Sequence, residues 1–163
     1  MSEEDDRGGR RTPSPSRLSA AAVAFALLAA LPAGAAVTFL DPLNDQALLV
    51  PIPEGDKRTP AVERFHDAGE NTYIGDKAAL RDGKKVWDEH CQACHLPDGS
   101  GRIGPSMLDE QWNHPRNNTD IGMFETLWAG GAGAMQPFRD RLSQDQMLRV
   151  IAYIHELRNQ KKP

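Results

Sequence analysis

The sequence predicts an all-α domain with a short extended segment in front of it. Three observations carry that expectation. Apolar residues recur at three- and four-residue spacing, most plainly at Met147, Val150, Ile151, Ile154 and Leu157. The periodic stretches are bounded by residues that start and stop helices: Thr59-Pro60 and Gly69, Asp76, Thr119, and Ser143 with Gln146. Both cysteines of the chain fall in one pentapeptide, Cys91-Gln92-Ala93-Cys94-His95, which gives the helices something to enclose.

The chain begins with four acids (Glu3, Glu4, Asp5, Asp6) and four arginines (Arg7, Arg10, Arg11, Arg17). An apolar stretch from Leu18 to Leu31 and Pro32-Ala33-Gly34-Ala35 follow. Basic flank, short apolar core and small-residue end predict a secretory signal peptide over 1–35, hence export to the periplasm. The core is short and rich in alanine for a membrane span, so no stable span is expected after cleavage. An uncleaved anchor extended through Val37 and Phe39 is the alternative. Arg10-Arg11 lacks the apolar residues expected after a twin-arginine signal.

Residues 36–75 read as an N-terminal extension packed on the domain that follows. Val37-Thr38-Phe39 and Ala47-Leu48-Leu49-Val50 flank the turn-rich Asp41-Pro42-Leu43-Asn44-Asp45, which predicts a small hairpin or two loose strands. Pro60 to Ala68 should be helical, with Thr59 as N-cap, Pro60 at the first helical position and Gly69 as the stop. The main domain covers 76–163. Its first helix begins at Asp76 and carries Leu80, Gly83, Val86, Trp87 and His90. Gly83 weakens a helix interior, so a close crossing with another helix is expected there. The last helix, opened by a capping box from Ser143 to Gln146, should run to about Asn159, and Gly83, Trp87 and Tyr153 are expected at the crossing of the two.

Cys-x-x-Cys-His has the spacing of a c-type haem attachment site. Two thiols three positions apart can each add across one vinyl group of a haem, and the adjacent imidazole then lies under the iron. Half a zinc site or a thioredoxin-like dithiol would use the same cysteine spacing. Zinc would need further ligands at similar spacing, and no second Cys pair exists. The dithiol reading needs the pair at the end of a strand in a βαβ unit, and nothing upstream reads that way. The assignment is one covalent haem c, with Cys91 and Cys94 as attachment points and His95 as axial ligand. The glycine-rich loop that follows closes at Gly104-Pro105, whose proline carbonyl can accept from the His95 ring and orient it. His90 is read as structural.

The sixth position is expected to fall to Met135, in the loop Gly130-Gly131-Ala132-Gly133-Ala134-Met135-Gln136-Pro137. A glycine-rich loop can cross the distal face where a helical stripe cannot. Met107 lies just behind Pro105, on the imidazole side; Met123 and Met147 sit in helical stripes and suit core packing. The metal ligands are then His95 and Met135, with His114 as runner-up and an open position third. Filled by His and Met, the iron suits electron transfer and no catalytic residue is expected; an open site would admit ligand or peroxide chemistry. Arg139, Asp140 and Arg141 are read as a solvated charge cluster.

Net charge is −4. This argues against nucleic acid, which needs a basic face, and suits a partner with a complementary basic patch.

Several stretches resemble cytochrome c-L, a family within the class I c-type cytochromes. They are Cys91 to His95, Gly101-Arg102-Ile103-Gly104-Pro105, Trp112 with Pro115-Arg116-Asn117, Gly122-Met123-Phe124-Glu125-Thr126, Gly130-Gly131 and Asp145-Gln146-Met147-Leu148. Val37-Thr38-Phe39 and Gly69-Glu70-Asn71 are also similar. The resemblance implies a class I cytochrome c fold: helices packed around one covalently bound haem. It implies a periplasmic electron carrier, not an enzyme. The donor would be a PQQ-dependent methanol or other alcohol dehydrogenase and the acceptor a small soluble cytochrome c. Gln136 stands where the family is expected to have glycine. From the residues alone, a carrier serving another dehydrogenase or oxidase, soluble or tethered, or a haem enzyme with a displaceable distal ligand, would fit the same pattern.

Overall fold

Local signals place most of the helices. In the computed structural model, which describes residues 36–161, α1 spans Pro60–Ala68, α2 Lys77–His90, α3 Gln92–His95, α4 Asp120–Ala129 and α5 Gln144–Lys161. Short 3-10 turns lie at Gly55–Lys57 and Pro115–Asn118. The leader expected over 1–35 lies outside the described residues. Each predicted cap is in place. Thr59 accepts from Val62 N, Asp76 from Ala79 N and Thr119 from Gly122 N. The capping box is reciprocal: Ser143 N donates to Gln146 Oε1 (2.9 Å) and Gln146 N to Ser143 Oγ (3.2 Å).

The expected hairpin is reduced to one isolated bridge, Leu40 with Ala47, and no strand forms among the described residues. The turn itself exists, with Asp41 N donating to Gln46 O and Leu48 N to Phe39 O. The segment is held by other means. Leu40 N donates to the buried carboxylate of Glu125 (2.7 Å), and Val37 N to His66 O (2.8 Å). Phe39 enters an aromatic cluster, 5.4 Å from Phe124 and 6.0 Å from Phe65 between ring centroids. Farther along, Pro51 O accepts from Gln144 Nε2, whose Oε1 bonds the buried His66 ring at 2.7 Å.

α2 and α5 cross in close contact. A Cβ on Gly83 would sit 2.1 Å from Arg149 O and 3.1 Å from Tyr153 Cβ. Trp87 packs on Tyr153 one turn on, with ring centroids 6.1 Å apart. The obstacle at Gly83 is backbone, so side-chain repacking cannot relieve it. Gly83→Ala should therefore destabilise the protein by about 2–3 kcal/mol, despite alanine's better helix propensity, as overpacking does. Denaturant midpoints of the two proteins check this; a stabilised variant would mean the crossing is loose.

A polar cluster locks α1 and the loop after it to α5. Asp145 accepts from Thr59 Oγ1 (2.8 Å), Tyr73 Oη (2.5 Å) and Arg149 Nε (2.6 Å). Burial pushes the Asp145 carboxyl up, but the bonds from Tyr73, Arg149 and Thr59 outweigh it and hold the group below its ordinary 3.8. A carboxyl depressed on folding stabilises above its unfolded pKa and loses that contribution as pH falls through the folded one. The Tm advantage over Asp145→Asn should thus be full at neutral pH and shrink below about pH 4. Thermal melts of both proteins from pH 7 to pH 3 test this; a gap independent of pH would exclude it.

Candidate functional site

α2 ends at His90, and α3 carries the pentapeptide directly after it. Its three chemically distinctive side chains, Cys91, Cys94 and His95, line one cavity of about 370 Å³. Gly104-Pro105 closes under the imidazole. His95 Nδ1 lies 2.9 Å from Pro105 O. A carbonyl only accepts, so Nδ1 carries the proton and Nε2 keeps its lone pair for a metal. A Cβ on Gly104 would come 2.3 Å from His95 Cε1, so glycine is needed for the loop to pass the ring. Both cysteines are free thiols. Burial, then the neighbouring Cys94, pushes the Cys91 thiol up to about 12.

The rest of the lining includes residues from distant chain. Met135 reaches the cavity from the loop after α4, which is closed by Gly131 N donating to Met135 O (2.9 Å). Met107 also lines it, whereas Met123 and Met147, 4 % and 0 % exposed, belong to the core. His114 and Trp112 form part of the wall. Their Nε2 and Nε1 atoms are buried with no partner among the described residues. Thr126 Oγ1 bonds Asn117 Oδ1 (2.9 Å), joining that wall to α4. His90 lies at the margin, its ring 6.2 Å edge-on from Phe138.

All five residues singled out from the sequence, Cys91, Cys94, His95, Pro105 and Met135, thus border one space. Others carried no local signal: Pro42 from the extension, Phe138, and Arg141, which stacks on Phe138 with its guanidinium carbon 4.1 Å from the ring centroid. Arg139, Asp140 and Arg141 are all exposed, as read from the sequence, and Arg141 in addition borders the cavity.

The lining fits a covalently bound haem. Two free thiols and an imidazole with its Nε2 lone pair available line the cavity together. Apolar Met107, Met135 and Phe138 suit a porphyrin face. The buried Trp112 Nε1–H, without a partner among the described residues, suits one of its carboxylates, since buried polar groups otherwise find partners.

Comparison with known proteins agrees with this geometry. The family model for cytochrome c oxidase, cbb3-type, subunit III matches residues 78–154. Cytochrome c-L of Methylorubrum extorquens is 40% identical over 122 residues, 74% of this chain and 62% of that protein. The chain therefore spans less than two thirds of that relative's length. Crystal structures of cytochrome cL from Hyphomicrobium denitrificans and Methylophaga aminisulfidivorans both superpose with a TM-score of 0.69. The first is 36% identical, covering 74% of this chain and 73% of that one; the second is 29% identical, covering 74% and 80%. Homology and cavity together make this chain a class I c-type cytochrome of the cytochrome c-L family, an electron-transfer protein with a single covalent haem c.

Proposed function

We propose that this cytochrome works in the periplasm, accepting electrons one at a time from a PQQ-dependent methanol or other alcohol dehydrogenase and passing them to a small soluble cytochrome c. The observation that carries the reading is the cytochrome c-L similarity, which extends over 122 residues and so beyond the haem motif. When bound, the haem supplies a one-electron couple at its iron.

The chain's own residues do the rest. Cys91 and Cys94 would hold the haem covalently, and His95 and Met135 would supply its iron ligands. Pro105 holds the His95 ring through its Nδ1–H, which fixes the ring and raises its donor strength. The apolar wall of Met107 and Phe138 excludes water from the site. Residues 1–35 act as the export leader, 36–75 as an extension and 76–163 as the haem domain. Among the described residues, no helix is long and apolar enough to cross a membrane.

Stopped-flow mixing with purified dehydrogenases tests the donor. Fast reduction by a methanol-oxidising PQQ enzyme is expected. Reduction only by an unrelated dehydrogenase would replace this assignment with that of a carrier for another chain.

A further inference from the structure

The loop that presents Pro105 to His95 is bonded mainly to the haem motif and to itself. Gly101 N donates to His95 O (3.0 Å) and Gly104 N to Cys94 O (3.1 Å). Met107 N returns to Gly99 O (2.8 Å) and closes the loop. Among the described residues, two polar side chains of α5 reach this stretch. Lys161 Nζ lies 3.5 Å from Asp98 Oδ2, and both side chains are 54% exposed, so that pair is long and screened. Arg158 is different. Its Nε donates to Met107 O at 2.7 Å from a half-buried position. Its guanidinium carbon stands 5.0 Å from the centroid of the Trp112 ring. Its Nη2 is buried with no partner among the described residues, and Asp120, Glu110 and Asp109 act on it through their field, with no hydrogen bond. Burial pushes its pKa down. A guanidinium kept for its charge would meet a carboxylate. This one instead has one carbonyl and one ring, on Met107 and Trp112, both in the wall of the haem cavity. Only a planar group can lie against an indole and aim a fixed N–H at the same time.

We propose that Arg158 is a positioning residue for the iron ligand His95. By holding Met107 O it keeps residues 99–107 seated, and with them the Pro105 carbonyl on the His95 Nδ1–H. The stack on Trp112 fixes the plane of the guanidinium and so aims its Nε–H. The inference rests on the ligation by His95 proposed above and adds what keeps the ligand's own partner in place. A firm bond at Nδ1 makes the ring a stronger electron donor, which favours ferric iron; a loosened bond does the reverse and raises the potential. Loss of a cation near the haem acts in the other direction, because ferric iron carries the extra positive charge. Release of the loop and loss of charge are therefore told apart by sign.

The experiment compares Arg158→Gln with Lys161→Gln, each of which removes one positive charge from the last turn of α5. On the reduced haem-loaded proteins, NMR follows exchange of the His95 Nδ1 proton with deuterated solvent. The amide of Phe138, which donates to Leu127 O (2.8 Å), is the reference for opening of the whole domain. Arg158→Gln should speed exchange at His95 by about tenfold or more, while the Phe138 amide, and both protons in Lys161→Gln, change by about twofold or less. Arg158→Gln should also have the higher midpoint potential of the two variants. Unchanged exchange at His95 overturns the assignment. Equal acceleration at Phe138 does so too, as it would mean a general loss of stability. Equal acceleration in Lys161→Gln, or a lower potential in Arg158→Gln, would leave charge as the cause and overturn it as well. Ligation by His95 is read separately, from the upfield shift that a porphyrin gives the ring protons of an axial imidazole in the unaltered protein. If that shift is absent, the ligation falls on its own, and the exchange comparison still decides whether Arg158 holds the loop.

Discussion

Replacing Met135 by alanine should abolish the sulfur-to-iron charge-transfer band of the ferric protein and lower its potential. The lowering should be a substantial part of the roughly 0.8 V over which axial ligands set haem potentials. A thioether stabilises the ferrous state, so its loss favours the ferric one. Spectroelectrochemical titration of the two proteins reads both effects together. The outcome also separates Met135 from its neighbours. Met107 lines the cavity too, but Met107 N is tied to Gly99 O at 2.8 Å, in the same loop that brings Pro105 to the imidazole. It is therefore held on the His95 side. His114 is the stronger competitor, because its buried Nε2 has no protein partner. Were His114 the ligand, Met135→Ala would leave the spectrum unchanged and His114→Ala would alter it.

What could be read in advance followed the range of each interaction. Helix ends depend on residues three or four positions apart, and Thr59, Asp76, Thr119 and Ser143 cap as written in the chain. The pentapeptide is local too. Gly83 announced a close crossing because a glycine inside a helix needs a packing reason, and Arg149 O supplies it. The extension failed where distance entered. Residues 37–50 show strand-like apolar runs, but Leu40 N finds its acceptor 85 residues away on Glu125. No pattern within the segment encodes that choice. Arg141 is exposed, as a solvated cluster requires, but its contact with the face of Phe138 has no local signal either. The ring nitrogens of Trp112 and His114, without partners among the described residues, become meaningful only once burial is known.

Glu125 is where the long-range part of the fold concentrates, and it supports an unequal pair of expected outcomes. Its carboxylate is 0% exposed and accepts from Leu40 N (2.7 Å), Arg116 Nε (2.9 Å) and Arg116 Nη2 (2.6 Å). The Arg116 side chain is 36% exposed. Removing either member breaks the same pair, but the survivors differ. After Glu125→Ala, Arg116 can turn its guanidinium to water, and the chief loss is the acceptor for Leu40 N, about 1–3 kcal/mol. After Arg116→Ala, a buried carboxylate keeps one backbone donor and no counter-charge, which costs about 3–5 kcal/mol. Because Leu40 leads to Pro42 and Arg116 to Asn117, both on the cavity wall, the damage should also reach haem retention. Urea titrations of the two variants at pH 5 and pH 7 decide the order. If Glu125→Ala proved the more damaging, the carboxylate would have to matter for tethering the extension more than for its charge.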